Sequence, residues 1–84
     1  MNANECLSRA LLHVAMFLEF SDDDVVDPDA AVAQMEQMAA SLSSLGPPER
    51  TAFLAVCDKM VGEHATDPKR AKYLAAFGDT HGLT

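Results

Sequence analysis

The chain has 84 residues, 49% of them hydrophobic, which is enough for one small domain with a modest core. Thirteen Asp and Glu against six Lys and Arg leave a net charge of −7. That balance excludes the clustered cationic surface needed for nucleic acid or an anionic membrane. Ala, Leu and Met dominate, aromatics are few and Trp is absent, which favours helix over sheet.

The first segment reads as a helix over residues 3–20. Asn2 followed by Glu5 forms a capping-box-like start. Leu7, Leu11, Val14 and Leu18 make one apolar stripe, widened by Cys6, Ala10, His13 and Phe17. Leu12, Met16 and Phe20 fall on the opposite side, among Glu5, Ser8, Arg9 and Glu19. If the first stripe faces the core, the second needs another cover. The expectation is a homodimer through Leu12, Met16 and Phe20.

An acidic joint follows. Glu19, Asp22, Asp23, Asp24, Asp27 and Asp29 place six of the thirteen acids within eleven residues. Their mutual repulsion requires water, a cation or a basic neighbour. Asp27-Pro28 has a structural use as N-cap and first residue of a second helix, with Asp29 in its first turn. Asp22, Asp23 and Asp24 are not accounted for in this way.

The second helix is expected over 28–45, with Ala31, Val32, Met35, Met38, Ala39, Leu42 and Leu45 on its apolar side. Its far side, including Gln34, Gln37, Ser41 and Ser44, is small or neutral. Gly46 is expected to end it in a left-handed cap, and Pro47-Pro48 prevent continuation. A third helix over 48–64 buries Phe53, Val56, Cys57, Met60 and Val61, and reaches His64. A fourth over 68–77 is capped by Thr66 or Asp67 and uses Leu74 and Phe77. The tail from about residue 79 is expected to fray.

Four helices with short links predict an all-α antiparallel bundle in a single domain, residues 1–84. Its expected core is Leu7, Leu11, Val14, Leu18, Val32, Met35, Leu42, Phe53, Val56, Met60, Leu74 and Phe77. Up-and-down order brings the acidic joint near Lys69, Arg70 and Lys72, which would balance part of its charge. Residues 1–42 hold eight acids and one base, whereas residues 43–84 hold five of each. The net charge therefore belongs to the first half, the side a basic partner meets first.

Calcium and zinc motifs are absent. In EF-hand registers beginning at Asp22, Asp23 or Asp24, the glycine position is filled by Asp27, Pro28 or Asp29 and the closing glutamate position by Ala33, Gln34 or Met35. His13, His64 and His81 are scattered, and Cys6 and Cys57 form no CxxC. Both cysteines are expected to be reduced and buried. No nucleophile–base pattern or phosphate loop occurs, so the expectation is a non-enzyme without cofactor or metal. The N-terminus lacks a signal-peptide pattern and no stretch is long enough to span a membrane. A cytoplasmic location is the corresponding expectation.

From Leu18 to Phe53 the chain reads LEFSDDDVVDPDAAVAQMEQMAASLSSLGPPERTAF. This stretch resembles small acidic bacterial helical proteins, some of which are similar to immunity proteins of toxin–immunity pairs. The resemblance implies inhibition by occlusion and brings no catalytic residues. With the leftover carboxylates it gives an expected surface for a basic protein partner: Glu19, Asp22, Asp23, Asp24 and Glu36. The alternative is a helical regulatory or structural adaptor acting through homodimerisation or by taking a partner helix in a groove.

Overall fold

A computed structural model describes residues 1–84. It is all-α: α1 (Ala3–Phe20), α2 (Pro28–Leu42), α3 (Pro47–Glu63), α4 (Pro68–Ala75) and a single-turn α5 (Phe77–Thr80). No helix is long and apolar enough to cross a membrane.

Each long helix starts where its local chemistry supplies an acceptor or a proline. Asn2 Oδ1 accepts the Glu5 amide at 2.8 Å, Asp27 accepts that of Ala30 at 2.9 Å, and Asp67 accepts that of Arg70 at 3.2 Å. Proline opens α2, α3 and α4, where its missing N–H leaves no unmet bond. The α2 terminus differs from expectation. The helix stops at Leu42, and Gly46 has φ −68°, so it serves as the extended N-cap of α3 rather than a left-handed cap. The Arg50 guanidinium donates to the carbonyls of Ser43 and Leu45. A cation at the end of α2 thus does the work expected of the glycine.

α3 is the central element, packed against α1 on one side and α4 on another, while α2 rests mainly on α1. The core joins Leu12, Ala15 and Met16 of α1, Met35 of α2, Phe53, Val56, Cys57 and Met60 of α3, Tyr73 and Leu74 of α4, Phe77 and Leu83.

α1 presents the opposite side to that expected. Leu12 is fully buried and Met16 nearly so, whereas Leu7 and Val14 are 71% and 58% exposed. Phe20 packs edge-on against Tyr73. The face assigned to self-association is therefore interior and cannot serve as a dimer surface. The reason lies in its borders. Arg9 donates to Glu5 and, through two nitrogens at 2.7 Å each, to Glu63 of α3; Lys59 also reaches Glu5. The charges flanking Leu12 mark the edge of a helix–helix contact, where they find partners, rather than a solvent face. Small Ser8 and Ala15 on that side are buried too. Cys6 is exposed, contrary to expectation, because it shares the outer side with Leu7. Val32 is likewise 58% exposed, since α2 turns only Ala31 and Met35 fully inward. Leu11, Leu18 and Leu42 are half-buried at the margin of the core.

The tail does not fray. α4 ends at Ala75, α5 follows after Ala76, and Gly82 at φ +73° reverses the chain. The Leu83 amide then donates to the Gly78 carbonyl at 2.7 Å, and the Leu83 side chain is 2% exposed. A Cβ on Gly78 would lie 2.8 Å from Thr84 and 3.1 Å from Leu54; glycine here permits the close approach.

Leu12→Ala and Leu83→Ala should each lower unfolding free energy by about 2–5 kcal/mol. Leu7→Ala and Val14→Ala should stay within about 0.5 kcal/mol of the parent chain. Urea denaturation of the four variants checks this, and a large loss at Leu7 would restore the opposite rotation of α1.

Candidate functional site

The end of α1, the acidic joint and the first turns of α2 enclose a hollow of about 390 Å³. Its floor is apolar: Leu18 from α1, Val26 from the joint, and Ala31, Val32 and Met35 from α2. Its rim carries Glu19, Asp23 and Glu36, with Ser21 beside them and His81 arriving from the C-terminus.

Local sequence explains how the rim is held. Ser21 ends α1, its amide and hydroxyl both donating to the Phe17 carbonyl. The chain then turns tightly, with the amides of Val25 and Val26 both donating to the Asp22 carbonyl. Asp22, Asp23 and Asp24 are exposed along this turn, and Val26 faces the hollow before Asp27 caps α2. The joint is thus a short, hydrogen-bonded bridge between two capped helix ends.

Three of the five carboxylates assigned to partner binding, Glu19, Asp23 and Glu36, lie on this one hollow. Asp22 and Asp24 belong to the same turn but do not line it. None of the five takes part in an ion pair; the molecule's four pairs involve Glu5, Glu63 and Asp67 instead. Lys69 and Lys72 share a shallow depression with Glu19 and Phe20, and the Arg70 guanidinium lies 4.8 Å over the Phe20 ring. Arg70 spends its charge on Asp67 at 2.8 Å. The base cluster therefore approaches the end of α1 as expected: Arg70 lies over the Phe20 ring, and Lys69 and Lys72 share a depression with Glu19 without forming an ion pair.

His81 gave no sequence signal, because its segment read as a loose tail. Its Nε2 lies 2.8 Å from the Tyr73 hydroxyl, and its ring packs against Phe77 at 4.5 Å between centroids. Burial pushes its pKa down, opposed in part by the Glu19 carboxylate. Burial also raises the pKa of the Tyr73 hydroxyl. The apolar floor was equally hidden, because Leu18 and Val32 were assigned to the core.

No group of three or more His, Cys, Asp and Glu converges in the manner of a metal site. The Cys57 thiol is buried and pushed up to about 12, mainly by desolvation and then by Asp58, which leaves it protonated and inert. Carboxylates above an apolar floor suit a long cationic side chain, whose methylene stem lies on the floor while its head meets the rim.

The fold is that of a small all-α bundle with an acidic hollow at one end. Compared with protein-family models, curated proteins and solved structures, the chain matches none.

Because the native state holds His81 neutral, its contribution is present above the ordinary histidine pKa of 6.5 and is lost as pH falls from there toward the lowered native value. Glu5, Glu63 and Asp67 have pKa values lowered by their Arg and Lys partners, so their contributions are lost only at more acid pH. Thermal melting between neutrality and pH 5 should show a first decline that His81→Gln removes. An unchanged decline in that variant contradicts the assignment.

Proposed function

We propose that this protein is a non-catalytic, immunity-type inhibitor that captures a basic protein partner at the acidic hollow. The observation that carries the reading is the grouping of Glu19, Asp23 and Glu36 around an apolar floor, with no ion pair inside the molecule. Asp22 and Asp24 extend the negative field beyond the rim. Lys and Arg on a nucleic-acid-cleaving toxin, arranged for phosphate, find in these carboxylates a similar density of negative charge. The inhibitor then works by occupying that surface.

Separation of tasks follows from the physics. Carboxylates on an exposed turn steer encounter and raise the association rate, while the floor of Leu18, Val26 and Val32 supplies apolar area that slows dissociation. The lack of internal partners for Asp22, Asp23 and Asp24 supports an outward role over one of balancing Lys69, Arg70 and Lys72.

Isolation of the protein with its partner from the native host, followed by binding kinetics at two salt concentrations, tests this reading. Asp22→Asn, Asp23→Asn and Asp24→Asn together should slow association by about tenfold or more at low salt, flatten the salt dependence, and leave the melting temperature nearly unchanged. Val32→Asp should instead accelerate dissociation. An unchanged association rate in the triple variant, or the absence of any basic partner, overturns the proposal; a fall in stability without a change in binding assigns the joint an internal role.

A further inference from the structure

Of the eleven residues lining the acidic hollow, only His81 can take up a positive charge. Its place there is fixed by packing. Phe77 and Leu83, before and after it in the chain, are buried. The ring packs on Phe77 and Tyr73, and Nε2 lies 2.8 Å from the Tyr73 hydroxyl. A tyrosine hydroxyl can donate to a neutral imidazole or accept from a protonated one. That contact therefore serves both charge states and holds the ring beside the rim in each. We infer that a cationic occupant of the hollow and a proton on His81 compete, so that mild acid releases the occupant. The inference rests on the reading of the hollow as a site for Lys or Arg, and adds its regulation.

The groups around His81 set the sign of the coupling. Glu19 faces it from α1, and that carboxylate favours the protonated ring. Asp23 of the joint and Glu36 of α2 stand on the same rim. α4 contributes the Tyr73 hydroxyl, while Lys69 and Lys72 of that helix lie in the neighbouring depression with Glu19. On the segment of His81 itself, Asp79 accepts from the Thr84 hydroxyl. In the free protein the rim carboxylates offset a charge on the imidazole. A Lys or Arg head seated among them removes that compensation and adds repulsion. The protonated ring is then disfavoured, and by reciprocity the proton weakens the occupant to the same extent. Burial already holds the His81 pKa below the ordinary 6.5, so release falls on the acid side of neutrality.

Nuclear magnetic resonance titration of the full chain with an acetylated, amidated tetralysine peptide tests this. Lysine keeps its charge throughout the range used, and the amide signals of Val26 and Val32 report binding at the hollow. Affinity should fall about threefold or more from pH 7.5 to pH 5, and saturating peptide should lower the His81 titration midpoint by about half a pH unit. Most of the fall in affinity should be absent from His81→Gln. His13 and His64 lie outside the hollow and remain in that variant, so they cannot account for the difference. The midpoint is read on the parent chain and needs no variant. A pH dependence retained in His81→Gln, or a His81 midpoint that does not fall, overturns the inference and leaves the hollow a cation site. No response at Val26 and Val32 at pH 7.5 removes the cationic occupant itself, and the inference with it.

Discussion

Arg9 reaches two carboxylates on two helices, and the orientation of α1 depends on that reach. Its guanidinium meets Glu63 with two nitrogens at 2.7 Å and Glu5 at 3.0 Å, while Lys59 closes the group from α3. The fork geometry allows only a narrow range of helix rotation. Within that range Ser8, Leu12, Ala15 and Met16 face α3, and Leu7, Val14 and Phe17 face outward. The pairs are exposed at their edges and add little energy by themselves. They border the buried side of α1, and the burial of Leu12 and Met16 supplies the stability.

A chain of aromatic rings carries that choice across the molecule. Phe20 meets Tyr73, Tyr73 meets Phe77, and Phe77 meets Phe53, each at about the same centroid spacing of 5.6–5.7 Å. His81 packs on Tyr73 and Phe77, and Leu83 closes the core beneath. The last six residues thus contribute a wall of the hollow as well as part of the core. Rotating α1 outward would pull Phe20 from this chain and remove Leu18 and Glu19 from the hollow.

Charge is distributed so that the two ends of the molecule differ in kind. Bases pair locally: Arg9 and Lys59 with Glu5, Arg9 with Glu63, Arg70 with Asp67, and Arg50 with backbone carbonyls. The joint's carboxylates receive none of them. In a domain of net charge −7, seven of the ten acids outside ion pairs lie between Glu19 and Glu36, on and around the hollow, while Glu49, Asp58 and Asp79 lie elsewhere. A negative pole next to an exposed apolar surface is the physical basis for expecting a cationic occupant.

The sequence by itself determined the all-α class, the helix starts and the acidic joint. Those features rest on local rules: caps at Asn2, at Asp27 and at Thr66 or Asp67, prolines at the first turns, and carboxylates too close together to be buried. It also placed Phe53, Val56, Met60, Leu74 and Phe77 in the core, because these large apolar side chains recur at helical spacings of three and four residues. α1 is apolar on two sides, so its own pattern could not say which was inward; the partners of Arg9 and Lys59, 54 residues away in the chain, decided it. Tertiary contact likewise folded Gly82 and Leu83 back onto α5 and set Val32, Leu18 and His81 around the acids. Ten of the eleven residues lining the hollow lie between Leu18 and Glu36, but the walls exist only once α1 and α2 have packed, and His81 arrives from a segment with no local signal for the site.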